Sequence, residues 1–171
     1  MAVPKRHESS PGTYFVTSRT WEGRAIFKVA PPCEIFVESL LRYRDAGAYR
    51  LHGFVLMPDH FHVMLTPADE TTLERAVQFI KGGSARAIRE KLILTFPVWQ
   101  RGFSDHRIRD AADYDRHWHY LENNPVRKHL ALTPAGYKWS SASGAFRVDE
   151  IPQGLKPLRL AAVVGTAKAV P

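Results

Sequence analysis

Two runs of β-forming residues, YRLHGFVLM (49–57) and HFHVMLT (60–66), are separated only by Pro58 and Asp59. Two residues are too few to reach a parallel neighbour, so the runs must fold back on each other as an antiparallel hairpin. Side chains alternate along a strand, which puts His60, His62 and Met64 on one face and Phe61, Val63 and Leu65 on the other. The apolar trio can lie under helices. The two imidazoles then stand side by side on the opposite face, roughly 6–7 Å apart at their bases, a span that one metal ion can bridge. Two histidines satisfied by ordinary hydrogen bonds are the alternative that the spacing leaves open.

The rest of the chain supplies what a hairpin needs to become a domain. TYFVTSRT (13–20) reads as a first strand. Pro31-Pro32 precede an amphipathic run that stops at Gly47, a helix. Thr71 or Thr72 with Glu74 opens a second long helix, weakened at Gly82-Gly83. A short strand is expected at 104–109 and a third helix at 111–124. There Pro125 should bias Asn124 out of the helical region and start a separate turn. From Thr133 onward Pro and Gly recur, and loops with one short helix are expected. The order β-α-β-β-α-β plus a helix predicts an α+β fold of the split βαβ, ferredoxin-like or RRM-like kind. In it an antiparallel sheet carries helices on one face, and an added C-terminal helix carries Tyr120.

Composition narrows the class. The 171 residues are 44% hydrophobic, enough for one core. A single cysteine, Cys33, excludes an internal disulfide and a cysteine-based zinc site. No apolar leader stands at the N-terminus and LAAVVG is too short to span a bilayer, so a cytoplasmic, nucleoid-associated location and no membrane partner are expected. Charge is uneven: residues 1–74 hold 8 Lys+Arg against 9 Asp+Glu, whereas residues 75–171 hold 16 against 8. The whole positive excess lies in the second half, a pattern that attracts a polyanion.

Spacing means nothing until secondary structure is named. His117 and His119 repeat the spacing of His60 and His62, but in a helix they point about 200° apart and cannot share an ion. Tyr120 and Asn124, at i and i+4, do share a face. Asn124 can present a carbonyl oxygen to a hard cation with Tyr120 beside it. A phenol with an ordinary pKa near about 10 needs such help to act as a nucleophile.

Taken together, HGFVLMPDHFHVMLTP, VWQRGF, YLENNPVRKHLA and YKWSSA, in that order over residues 14–142, resemble the REP-associated tyrosine transposases, single-tyrosine HUH endonucleases related to insertion-sequence transposases. The resemblance implies that His60, His62 and Asn124 bind a divalent metal, Mg²⁺ or Mn²⁺. It implies that Tyr120 attacks single-stranded DNA, leaving a 5′-phosphotyrosine and a free 3′-hydroxyl. The partner would be single-stranded DNA with hairpin or palindromic repeats, and the protein a monomer or homodimer. Phosphate contacts are expected from Lys81, Arg86, Arg101, Arg107, Arg109, Arg127 and Lys128. Trp99, Phe103 and Trp139 are candidates for base stacking or for the core. The nuclease domain is placed at 13–145, after a flexible stretch 1–12 and before a tail 146–171.

Three other functions compete. A non-catalytic repeat-DNA binder would not need Tyr120 and Asn124. An RRM-like RNA binder would need stacking aromatics where this chain has histidines. A zinc hydrolase would need a third histidine at useful spacing.

Overall fold

The computed structural model describes residues 12–155, so most of the expected flexible stretch 1–12 and the tail beyond residue 155 lie outside the described residues. Strand β1 (Tyr14–Arg19) leads to helix α1 (Ala30–Asp45), then to the hairpin β2 (Tyr49–Met57) and β3 (His60–Pro67). Helix α2 (Leu73–Leu92), strand β4 (Ser104–Arg107) and helix α3 (Ala111–Arg127) follow. The sheet is antiparallel with order β2-β3-β1-β4. This is the split βαβ arrangement, with β3 inserted between β1 and β2.

Local chemistry explains the boundaries. Pro31 and Pro32 occupy the first turn of α1, where a missing N–H costs nothing. Gly47 takes φ 77° just beyond its end, a conformation that a Cβ would disfavour. The Thr72 hydroxyl accepts from Arg75 N at 3.2 Å and opens α2. Helix α2 runs unbroken through Gly82-Gly83, and Gly83 has a packing reason. A Cβ there would collide with the Tyr43 ring of α1 and lie 3.0 Å from Ser39 Oγ, so the glycine lets the two helices close.

The sheet is buried on both faces. Tyr14, Val16, Phe61, Val63 and Leu65 meet Phe36 and Leu40 of α1 and Val77 and Ile80 of α2. On the other face Phe15, Val55, Met57 and Met64 meet Ile108, Tyr114 and Leu121. The expectation of helices on one face therefore describes α1 and α2, and the added α3 covers the reverse. Trp99 belongs to the first core: it stacks on Phe27 at 5.2 Å and donates through Nε1 to Ser84 Oγ at 3.0 Å.

Two expectations are corrected. Helix α3 does not stop at Asn124; it continues through Pro125 to Arg127. Proline removes one backbone donor and crowds the preceding turn, but Leu121, Asn124 and Pro125 are all buried, and that packing holds the helix together. Its end is then closed by His129 at φ 56°, with His129 N donating to Val126 O and Leu130 N to Pro125 O, the bonds of a Schellman stop. Beyond Thr133 there is no α-helix among the described residues. Single 3₁₀ turns at Pro134–Gly136, Ser141–Ser143 and Gln153–Leu155 appear instead.

This last segment lies along the outer edge of β2. Leu56 N donates to Trp139 O (2.9 Å), Phe54 N to Ser141 Oγ (3.0 Å) and Leu51 N to Asp149 Oδ2 (2.7 Å). Asp149 also receives two bonds from the Arg44 guanidinium, at 2.6 and 3.0 Å. Phe146 packs on Phe54 at 5.3 Å.

Candidate active site

The hairpin turn at Pro58-Asp59 pairs Met57 with His60, so His60 starts β3 and both histidines face α3 as alternation requires. Their ring centroids are 4.9 Å apart. The uninterrupted helix brings Tyr120 and Asn124 over the same point, and Tyr120 meets the His62 ring edge-on at 5.3 Å. A cleft of about 680 Å³ results, lined by His60, His62, Tyr120, Asn124 and Lys128 together with Thr17, Arg19, Asp59 and Ser104.

The hydrogen bonding in this cleft is incomplete in an informative way. His60 Nδ1 lies 2.6 Å from Asp59 Oδ1, and His62 Nδ1 lies 2.7 Å from Thr17 Oγ1. The Phe15 ring stacks on His62 at 5.2 Å. Yet His62 Nε2 and Asn124 Oδ1 are buried without a partner, in residues only 4% and 3% exposed. An unsatisfied buried polar atom costs about 1–3 kcal/mol, so two in one cleft call for a missing partner. One imidazole nitrogen and one amide oxygen are a donor set that suits a divalent cation. Burial, reinforced by His60 and Arg19, pushes His62 down to about 3, so its ring is neutral near pH 7 and its lone pair is available. Tyr120 is 39% exposed, which leaves its hydroxyl accessible from solvent.

The expected phosphate contacts divide. Lys128 lines the cleft, and the Arg127 guanidinium lies 5.4 Å over the Tyr120 ring. Arg107 stands opposite Tyr14 in register and so shares the α1–α2 face rather than that of the cleft, whereas Arg109, just after β4, is drawn to Asp113. Arg101 is exposed in the loop before β4. Lys81 and Arg86 are on α2, across the sheet from the cleft: the Lys81 ammonium bonds the carbonyls of Gln100 and Gly102, and Arg86 pairs with Glu90. Tyr114, the other tyrosine of α3, is 1% exposed and stacks on Trp118, so solvent does not reach it.

A second histidine group lies on the far side of Phe15. His106, Asp113 and His117 bring ligand atoms within 4.8 Å of one another and could hold a metal ion. Asp113 is their hub: it bonds His106 Nε2 (2.8 Å), Arg109 N (3.1 Å) and Arg116 Nη2 (3.0 Å), and Asp110 caps its N–H at 2.8 Å. The rings of His106 and His117 stack at 4.4 Å, nearly parallel. Burial alone would raise the Asp113 carboxyl, but the bonds from His106 and Arg109 outweigh it and hold it well below the usual carboxylate range.

Sequence reasoning missed Thr17, Asp59 and Phe15. Asp59 was adjacent to the histidine pair and could have been noticed. Thr17 and Phe15 reach the cleft through the register of β1 on β3, where Thr17 opposes His62, and no local signal encodes that.

Comparison with known proteins agrees with this fold. The model of the family "Transposase IS200 like" matches residues 33–124, more than half of the chain. A REP-associated tyrosine transposase of Escherichia coli K12 is 24% identical over 155 residues, covering 87% of this chain and 90% of that protein. An uncharacterized Haemophilus influenzae protein is 30% identical over 98 residues, 45% of this chain and 54% of that one. The solved structure of a REP-associated tyrosine transposase bound to a REP hairpin superposes with a TM-score of 0.67 at 20% identity, over 92% of this chain and 94% of the other.

Proposed function

Because the chain belongs to the IS200-like transposase family, we propose that it is a metal-dependent single-stranded DNA endonuclease and strand transferase acting through Tyr120. The observation that carries this reading is the pair of buried, unpartnered acceptors, His62 Nε2 and Asn124 Oδ1, in one cleft with an accessible tyrosine. His60, His62 and Asn124 would hold the cation, which, when bound, offsets charge on a phosphate oxygen as a Lewis acid. All three ligands are neutral, and two are imidazoles, a set that Mn²⁺ tolerates better than Mg²⁺.

The protein's own groups do the rest. Tyr120 is fixed on a helix rather than a loop, so its hydroxyl meets the scissile phosphate from one direction. It forms a new P–O ester as the bond from phosphorus to the 3′-oxygen breaks. The phenol proton passes to solvent, and the departing 3′-oxygen takes one up as a hydroxyl. The 5′-phosphotyrosine conserves the bond energy, so rejoining needs no nucleotide cofactor. Lys128 and Arg127 supply positive charge where the strand must lie. A relative solved with a REP hairpin supports hairpin-forming repeat DNA as the partner.

The test incubates the protein and Mn²⁺ with end-labelled hairpin oligonucleotides and looks for an SDS-resistant adduct. Wild type should retain label from the strand 3′ of the cut. Tyr120→Phe should retain none while still binding the hairpin. An adduct that persists in this variant would place the nucleophile elsewhere.

A further inference from the structure

We propose that Asp59 and Thr17 are positioning residues, Asp59 fixing the tautomer of His60 and Thr17 the place and plane of His62, so that both Nε2 lone pairs face one divalent cation. This rests on the metal reading above and assigns neither residue as a ligand. Each imidazole has two nitrogens, and a ring free to flip presents the wrong one half of the time. The Asp59 carboxylate only accepts hydrogen bonds, so at 2.6 Å it requires the proton of His60 on Nδ1. Nε2 of His60 is then bare.

The carboxylate is itself held in place. The Asp59 carbonyl accepts from Thr20 N at 2.8 Å and from Thr20 Oγ1 at 3.0 Å, and Thr20 is fully buried. The two-residue turn is thereby fastened to the end of β1 and cannot swing away from His60. His62 is held from across the sheet by a hydroxyl, which can donate or accept and so fixes the ring's place rather than its tautomer. Thr17 stands opposite it in register, its hydroxyl is 2.7 Å from Nδ1, and Phe15 stacks at 23° to hold the ring plane. His62 Nε2 is the nitrogen left buried and idle. A hydrogen bond to the nitrogen opposite the metal selects the tautomer and raises ligand basicity, and losing it typically costs about 10–100-fold in metal affinity.

Two readouts test this without cleavage. Long-range ¹H–¹⁵N spectra of histidine-labelled protein, recorded without metal, report which nitrogen of each ring is protonated. Mn²⁺ titration followed by electron paramagnetic resonance gives the affinity. In wild type both rings should carry the proton on Nδ1. Asp59→Ala should move the His60 ring toward the other tautomer, and Asp59→Ala and Thr17→Val should each weaken Mn²⁺ about 10–100-fold. Thr17→Ser, which keeps the hydroxyl, should bind like wild type, and thermal melts identify any variant that fails to fold.

Unchanged tautomers and affinities in Asp59→Ala and Thr17→Val, with His60→Ala still unable to bind Mn²⁺, would overturn the inference and leave the metal reading standing. Loss of all binding in Asp59→Ala with the His60 tautomer unchanged would make Asp59 a ligand and also overturn it. If His60→Ala and His62→Ala bind Mn²⁺ as wild type does, the metal reading falls and the inference with it.

Discussion

The two histidine groups on either side of Phe15 use similar residues to opposite ends. Around His106, Asp113 and His117 the carboxylate is saturated, and its bonds tie β4 to the start of α3. In the cleft of His60 and His62, His62 Nε2 and Asn124 Oδ1 are idle, and both histidines are bonded through Nδ1. Both groups offer ligands to a cation by composition. They differ in whether those ligands are already employed, and that difference separates a joint of the fold from a cleft that keeps unpartnered acceptors.

The largest way to break this comparison is to remove the hub. Asp113 is 1% exposed, and Asp113→Ala withdraws the common acceptor from His106, Arg109 and Arg116. The expected cost is about 3 kcal/mol of folding stability in a urea titration, or roughly 6–12 °C in the thermal midpoint. A loss below about 1 kcal/mol would mean that the group is not a joint.

Acid should erase the same contribution. The carboxyl of folded Asp113 titrates below its unfolded value, so the stabilisation is complete above the ordinary carboxyl range. It is lost as pH falls from about 4 toward the depressed folded value, by up to about 1.4 kcal/mol per pH unit. The gap between wild type and Asp113→Ala should therefore narrow between about pH 5 and pH 2. A gap that stays constant would assign the stability to something other than the ionised carboxylate.

The smallest effect is expected at the open site, and its sign is the point. Asn124 Oδ1 has no partner to lose. Asn124→Leu should be neutral or stabilising by about 1 kcal/mol, while Mn²⁺ binding weakens. Destabilisation by more than about 2 kcal/mol would show that the amide is part of the scaffold after all.

These contrasts mark what the chain made legible. The hairpin and the split of its faces followed from period-2 alternation about Pro58-Asp59, because strand geometry leaves no freedom there. That Tyr120 and Asn124 reach one cleft followed from a helix periodicity that needed only one turn. The continuation of α3 through Pro125 was not legible. Local preference says stop, and the burial of Leu121 and Asn124 that overrides it is a tertiary fact. Thr17 and Phe15 were hidden for a related reason, since register between strands far apart in sequence decides which residue opposes His62. A count of charges does not resolve faces: Lys81 and Arg86 carry the same charge as Lys128, but the fold puts them on α2, across the sheet from the cleft.

The segment along β2 has a consequence for the company the protein keeps. An outer strand of nine residues is a template: its row of unused amides invites the same strand of another copy, and sheets grow into aggregates that way. Here Trp139, Ser141 and Asp149 take up the outward amides of Leu56, Phe54 and Leu51, and the Arg44 clamp on Asp149 keeps the cover from peeling off. All three covering residues come after residues 33–124, which the family model matches. The side chains that line the cleft and the residues that cover the outer edge of β2 are thus different sets, and the edge is closed without drawing on the cleft.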